Sequence, residues 1–222
     1  HLLGGDIGWL SGGRDGFHEK ATINGWDDLI AFINMRNDVW VRATRRMSAR
    51  LLTEFVPLLG GMLVEYIDTL DPFAPGPAIN WAGDEPAPMW MQIGRELTER
   101  WTHHQQICDA VGMTSLKDAE MVHAVLSMFV RALPRTYRKT DAPDGTALRL
   151  LITGEGGGGW SLLREGGRWV LYRNVEAAAT SMVTMTTETA WRLFTKGISS
   201  EQGRQETSFA GDARLGERVL EM

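Results

Sequence analysis

The sequence is poor in cysteine, in long apolar runs and in net charge. A single cysteine among 222 residues excludes an internal disulfide framework and fits a reducing compartment. No window of the sequence approaches eighteen uncharged apolar residues, so we expect no membrane-spanning helix. The formal net charge of -5 gives no general electrostatic reason to bind nucleic acid or anionic lipid. We therefore expect a soluble, cytoplasmic protein without a nucleic-acid or membrane partner.

The composition is that of a folded globular protein. Hydrophobic residues make up 43% and charged residues 23% of the chain, which argues against intrinsic disorder. A chain of 222 residues can form one large domain or two small ones. It opens with His-Leu-Leu, without a Met or a helix-capping residue, so we expect that further residues precede His1 in the natural protein.

Apolar residues recur at helical spacing through the first 138 residues. Residues 71–88 interrupt this pattern with five prolines, which predicts a stiff loop. The short connections between the other segments favour an antiparallel bundle. The predicted helices run from Leu3 to Leu10, Asp27 to Ala43, Leu51 to Leu70, Met89 to Val111 and Val122 to Leu133.

Local residues indicate where several of these helices begin and end. Ser48 is a suitable N-cap for the third helix, and Pro57 should kink or break it. Gly112 is a suitable terminator for the fourth helix, and Thr114 or Ser115 could cap the fifth.

The hydrophobic period changes after about residue 140. Four short segments rich in β-branched and aromatic residues predict strands, and Glu165-Gly-Gly167 predicts a hairpin turn between two of them. We predict an α+β protein of two domains, with an up-down helical bundle over residues 1–138 and a small antiparallel-sheet domain over residues 146–222. The predicted strands are 147–153, 160–164, 168–173 and 180–186, and the predicted helices of this half are 187–196 and 212–220.

The candidate chemistry is concentrated on the fourth helix. Glu99 and His103 are four residues apart, so their side chains meet on one helical face. A carboxylate and an imidazole in this arrangement can bind one divalent ion, although the same spacing also produces a simple ion pair. His104 points about 100° away from His103 and cannot share that face.

Four segments together carry a family resemblance. They are His1-Leu-Leu-Gly-Gly-Asp6, Trp81-Ala-Gly-Asp-Glu-Pro-Ala-Pro88, Glu99-Arg-Trp-Thr-His-His104 and Ala190-Trp-Arg-Leu-Phe-Thr-Lys-Gly197. The chain resembles the mycothiol-dependent maleylpyruvate isomerase family of the DinB-like superfamily. The resemblance implies a DinB-like metal-binding helical bundle followed by a sterol-carrier-like α+β domain, with the family's first helix and part of its second missing.

The resemblance also implies a metal site and a reaction. The family's metal ligands map onto His1, Glu99 and His103, the metal is usually zinc, and the thiol cofactor is mycothiol. Two imidazoles and one carboxylate leave a fourth zinc position open, which is typical of a catalytic site. The thiol adds to a cis-alkene, rotation follows, and elimination releases the trans isomer. The expected partners are therefore a small-molecule electrophile and a low-molecular-weight thiol.

Two other functions remain open from the sequence. The same metal site would serve a thiol S-transferase that detoxifies electrophiles, and a sterol-carrier-like domain would serve a noncatalytic small-ligand-binding protein. A dicarboxylate substrate would need a cation near the metal, for which Arg14, Arg192 and Lys196 are candidates. We assign structural or surface roles to His18, Cys108, Asp109, His123 and the glycine-rich loop 154–159. His104 either supports a metal ligand or is structural, and Gln105 and Gln106 could orient ligands or cap polar surface.

Overall fold

The computed structural model divides the chain into two compact units. Unit 1 comprises His1–Pro75 and Pro88–Ile93, and unit 2 comprises Gly76–Ala87 and Gly94–Met222. The domain boundary predicted at 138–146 lies within unit 2 and stays a prediction. The structure describes residues 1–79, 81–83, 85–113, 118–173 and 178–222.

Unit 1 is built from helices. The predicted end of the first helix at Ser11-Gly-Gly13 is wrong, because the chain widens there into a π-helix rather than stopping. The Asp15 N–H donates to the Leu10 carbonyl at 2.9 Å, a bond that spans five residues. The helical segments are α1 (Leu2–Gly8), the π-helix Trp9–Arg14, α2 (Trp26–Thr44) and α3 (Ala49–Ile67).

The start of α3 confirms its predicted cap. The Ser48 hydroxyl accepts a hydrogen bond from the Leu51 N–H at 3.2 Å. The predicted break at Pro57 is not observed, since α3 continues through this residue. A proline inside a helix removes one backbone donor, and the long apolar helix tolerates that loss.

Close glycine contacts hold the helices of unit 1 together. A Cβ atom at Gly4 would lie 2.8 Å from Trp40 Cδ1, and one at Gly13 would lie 2.7 Å from Tyr66 Oη. Any larger residue would therefore push these aromatic rings away. The apolar residues of α2 recur at helical spacing, Phe32 and Ile33 among them, but α2 contains no buried residue.

The segment from residue 71 to residue 88, predicted as a loop, contains two short strands. These are β1 (Pro75–Ala78) and β2 (Pro86–Pro88), which form a two-stranded sheet. Helix α4 (Met89–Val111) follows with the predicted bounds. Gly112 comes next with a φ of 66°, the left-handed conformation expected of a helix terminator.

Three further helical segments precede the large sheet. The Asp118 carboxylate caps α5 by accepting from the Met121 N–H at 3.0 Å, whereas the predicted caps Thr114 and Ser115 lie outside the described residues. Pro134 lies in the first turn of a new helix, where its missing N–H costs nothing. The segments are α5 (Ala119–Phe129), a 3₁₀-helix (Val130–Ala132) and α6 (Leu133–Tyr137).

The large sheet has five strands in the order β5-β4-β3-β6-β7. Leu150 in β3 pairs with Trp160 in the antiparallel β4 and with Val183 in the parallel β6. The sheet is therefore mixed, where an antiparallel sheet was predicted. The strands are β3 (Ala147–Thr153), β4 (Gly158–Glu165), β5 (Arg168–Arg173), β6 (Ser181–Thr186) and β7 (Ser208–Gly211).

Short helices complete unit 2 and confirm the α+β class. The inward side chains of the central strand, Leu148, Leu150 and Ile152, belong to one buried cluster that also includes Trp101 and Trp191. None of the described helices is long and apolar enough to cross a membrane. The remaining helical segments are α7 (Thr187–Phe194), α8 (Ser200–Gln205), α9 (Ala213–Glu217) and a 3₁₀-helix (Arg218–Glu221).

Candidate functional site

Helix α4 presents two chemically different faces within unit 2. Glu99 and His103 lie on one face, and Gln106 follows one turn after His103. Trp101 lies two residues from Glu99, so its side chain leaves the helix about 200° away from that of Glu99. Trp101 is buried, as is Gln105 one turn later. The apolar core therefore holds the second face and leaves the first for chemistry.

The two predicted ligands on α4 come together. His103 Nε2 lies 3.5 Å from Glu99 Oε2. A charge-assisted hydrogen bond between these groups would be about 2.7–2.9 Å long. Two ligand atoms on a tetrahedral zinc ion, each about 2.0–2.2 Å from the metal, lie about 3.4 Å apart. The observed separation is that of an (i, i+4) ion pair and is also compatible with two ligands of one ion.

Gln106 sets the orientation of the imidazole. His103 Nδ1 lies 2.8 Å from Gln106 Oε1, and a carbonyl oxygen can only accept. Nδ1 then donates, and in the neutral imidazole this places the lone pair on Nε2, the atom that faces Glu99. Metal-binding histidines commonly have such a second hydrogen bond. The sequence left open whether Gln106 orients a ligand or caps polar surface, and its spacing of three residues from His103 was the available signal.

The pair is accessible to solvent. The side chain of Glu99 is 47% exposed and that of His103 is 30% exposed. A site inside the bundle would require this face to turn inward between Trp101 and Ile107, and it does not. Trp101 is buried on the other side of the helix, and Ile107 is 59% exposed. Small molecules can therefore reach the pair without an opening motion of the core.

His1, the third predicted ligand, belongs to unit 1. It precedes α1 at the N-cap position, where its side chain makes no capping hydrogen bond, and it is exposed. Glu99 and His103 belong to unit 2. The assignment of His1 as a metal ligand stays a prediction.

The candidate cations for a dicarboxylate substrate already have partners. Arg192 Nη1 lies 2.8 Å from Asp109 Oδ2, and Arg192 Nε lies 2.6 Å from Glu188 Oε1. The hydrogen bond to Asp109 and the second one to Glu188 raise the pKa of Arg192. Lys196 donates to the Met222 carbonyl, and Arg14 Nε lies 2.7 Å from Asp15 Oδ1. A substrate carboxylate would have to displace one of these partners.

The remaining histidine of unit 2 with several contacts, His123, fits the predicted structural role. Its Nδ1 donates to the Gly157 carbonyl at 2.9 Å, and Arg173 Nη2 donates to its Nε2 at 2.7 Å. Its ring stacks on Trp160 with centroids 5.8 Å apart. These contacts attach α5 to the glycine-rich loop between β3 and β4.

His104 and Cys108 form a second pair on α4. His104 Nε2 lies 3.7 Å from Cys108 Sγ, and the cysteine is buried whereas the histidine is exposed. The burial of Cys108 agrees with a packing role for this residue.

Among known proteins, the chain has matches to solved structures. No family model and no curated protein matches the chain. Among solved structures, sterol carrier protein 2 like 2 from Aedes aegypti matches with a TM-score of 0.34 and 16% sequence identity. The match covers 44% of this chain and 94% of that chain. A likeness at this level does not assign a function.

Proposed function

We propose that the chain is a metal-dependent enzyme that adds a low-molecular-weight thiol to an electrophilic small molecule, as enzymes of the maleylpyruvate isomerase type do. Glu99 and His103 are the ligands on α4, and His1 is the third ligand implied by the family resemblance. The observation that carries the proposal is the 3.5 Å separation of His103 Nε2 and Glu99 Oε2, together with the hydrogen bond that leaves the Nε2 lone pair available.

The residues suit a zinc ion that activates a thiol. One carboxylate and two neutral imidazoles contribute a charge of minus one, so a divalent ion keeps a net positive charge in the site. A zinc ion held by these residues would favour the thiolate form of an incoming thiol, which is the nucleophilic form. Gln106 fixes the tautomer of His103, and the exposure of Glu99 and His103 gives both the thiol and the electrophile access.

Mycothiol is the proposed thiol, and an alkene conjugated to a carbonyl is the proposed class of electrophile. The sulfur–carbon bond forms while the carbon–carbon π bond becomes a single bond, and the electron pair moves onto the carbonyl. Rotation about the single bond follows. Expulsion of the same thiol then restores the double bond in the trans geometry, with no net consumption of thiol.

Zinc titration by calorimetry tests the metal part of the proposal. The wild-type protein should bind zinc stoichiometrically, and Glu99→Gln and His103→Gln should each lose most of that affinity. His104→Gln is the matched control, because it changes an exposed neighbouring histidine on a different face of α4. Equal affinities of His103→Gln and the wild-type protein would exclude the site.

A thiol assay tests the reaction class. The full chain is incubated with mycothiol and maleylpyruvate, and then with a panel of other electrophiles, with and without zinc. An isomerase forms the trans product and leaves the thiol concentration unchanged, whereas an S-transferase consumes thiol and forms a stable adduct. Turnover that is indifferent to zinc, or no turnover with any electrophile, would contradict the proposal.

A further inference from the structure

Asn24 is the one asparagine of the sequence that a glycine follows. The others are followed by larger residues, as in Asn34-Met35 and Asn37-Asp38. Asparagine is chemically labile, because the backbone nitrogen of the next residue can attack its side-chain carbonyl carbon. A glycine has no Cβ atom to shield that nitrogen, so an Asn-Gly pair is the sequence most open to this attack.

The structure leaves the peptide bond between Asn24 and Gly25 accessible. Both residues are exposed, in the segment between the π-helix and α2. None of the described residues accepts a hydrogen bond from the Gly25 N–H. A Cβ atom at Gly25 would meet no atom within 4 Å, so there is open space beside this part of the backbone. Asn34 and Asn37, in contrast, lie inside α2, where the N–H groups that follow them are held in helical hydrogen bonds.

Asp28 ties Asn24 to the first turn of α2. The Asp28 carboxylate accepts hydrogen bonds from the Asn24 backbone N–H at 3.0 Å and from Asn24 Nδ2 at 3.1 Å. Both bonds are exposed and compete with water, so they restrain the Asn24 side chain without locking it. The side-chain bond needs the amide form of residue 24, because an ionised carboxylate has no proton to donate.

We propose that Asn24 is a site of spontaneous deamidation and that its modification loosens the start of α2. The Gly25 nitrogen gives up its proton to water and bonds to Asn24 Cγ, and the side-chain nitrogen leaves as ammonia. The five-membered imide that results then adds one water molecule. Cleavage between the Gly25 nitrogen and Cγ gives aspartate, and cleavage between the same nitrogen and the backbone carbonyl carbon of residue 24 gives isoaspartate.

Both products place a carboxylate beside that of Asp28. Two carboxylates within hydrogen-bonding distance repel each other, and neither can donate to the other. Isoaspartate also adds one carbon atom to the main chain, which shifts the N–H of residue 24 relative to Asp28. The contacts that fix the first turn of α2 are then lost. The reaction needs only water and does not depend on the proposed metal, so either proposal can fail without the other.

Ageing of the full chain at neutral pH, followed by peptide mapping with mass spectrometry, tests the modification. Asn24 should convert to aspartate and isoaspartate, with isoaspartate in excess, whereas Asn34 and Asn37 stay intact. Gly25→Ala should lose most of this conversion, and the extended backbone and open space at Gly25 accommodate the added methyl group. The proposal is overturned if Asn24 stays intact as long as Asn34 and Asn37 do. It is also overturned if Asn24 yields aspartate without isoaspartate, because direct hydrolysis gives that result.

Asn24→Asp isolates the effect on α2 from the ageing reaction. Hydrogen–deuterium exchange of the full chain should show faster exchange in the first turn of α2 than in the wild-type protein. The double variant Asn24→Asp with Asp28→Asn is the matched control, because the side-chain donor and acceptor exchange places and slow exchange should return. Wild-type exchange in Asn24→Asp, or exchange in the double variant as fast as in the single one, would overturn the proposed effect on α2.

Discussion

The two faces of α4 differ in burial, chemistry and expected sensitivity to mutation. Trp101, Gln105 and Cys108 are buried on one face, whereas Glu99 and His103 are partly exposed on the other. Substitutions on the buried face should lower the free energy of unfolding, and substitutions on the exposed face should lower metal affinity. One amphipathic helix would thus support both a core and the proposed metal site.

Trp101→Ala should cause the largest loss of stability. A buried Trp→Ala change removes its packing with Trp191 and leaves a cavity, which costs about 3–5 kcal/mol of unfolding free energy. Urea denaturation followed by circular dichroism measures the loss. Ile107→Ala is the control, because Ile107 is 59% exposed and its truncation should change stability by no more than about 0.5 kcal/mol. Equal losses for the two variants would mean that the buried face of α4 does not support the core.

Gln106→Leu should weaken metal binding without unfolding the helix. Removal of the hydrogen bond to His103 Nδ1 frees the imidazole to rotate and to change tautomer. Loss of such a second hydrogen bond typically lowers metal affinity about 10–100-fold. Competition with a fluorescent zinc chelator measures the change. An unchanged affinity would show that Gln106 does not position His103.

Tyr137 extends the comparison to the pH dependence of the buried core. Burial raises the pKa of Tyr137, whose hydroxyl donates to the Leu215 carbonyl at 2.7 Å. The folded pKa lies above the unfolded value of about 10. The buried, protonated hydroxyl therefore contributes fully to stability below pH 10, and this contribution is lost as the pH rises further. The free energy of unfolding should then fall by up to about 1.4 kcal/mol per pH unit.

Tyr137→Phe separates this proton effect from the rest of the alkaline transition. The variant should lose about 1 kcal/mol at pH 7 with its hydrogen bond, and its stability should fall less steeply above pH 10. Urea titrations at a series of alkaline pH values give both quantities. The same slope in variant and wild-type protein would mean that Tyr137 ionises as readily in the folded state as in the unfolded one.

Asp109→Asn should have the smallest effect. The ion pair between Asp109 and Arg192 links α4 to α7, but the two side chains are 49% and 30% exposed. A pair that is screened by solvent contributes only about 0.2–1 kcal/mol. Chemical denaturation at low and at high salt should show a small loss that nearly disappears at high salt. A loss of unfolding free energy as large as that of Trp101→Ala would mean that this ion pair stabilises the fold as strongly as the buried residues of α4 do.

Local features of the sequence predicted local structure well. The bounds of α4, β3 and β5 follow from hydrophobic period and from terminators such as Gly112 and the Glu165-Gly-Gly167 turn. The spacing of Glu99 and His103 predicted their contact for the same reason, because a helix brings residues four apart together.

Features that depend on distant partners were not predictable in the same way. β6 pairs in parallel with β3, which is almost thirty residues earlier, and no residue near β6 specifies that choice. The apolar residues of α2 have helical spacing, but spacing does not reveal whether another element covers them. The edge strand β7 and helix α8 are too short to give a clear periodic pattern.

X-ray absorption at the zinc edge tests the central claim most directly, because it reports the ligands of the bound ion. Zinc-loaded wild-type protein should show nitrogen and oxygen neighbours at about 2.0–2.2 Å with imidazole scattering. His103→Gln should lose one imidazole, and His104→Gln should give the wild-type spectrum. Identical spectra for the wild-type protein and His103→Gln, or a wild-type protein that binds no zinc, would contradict the account.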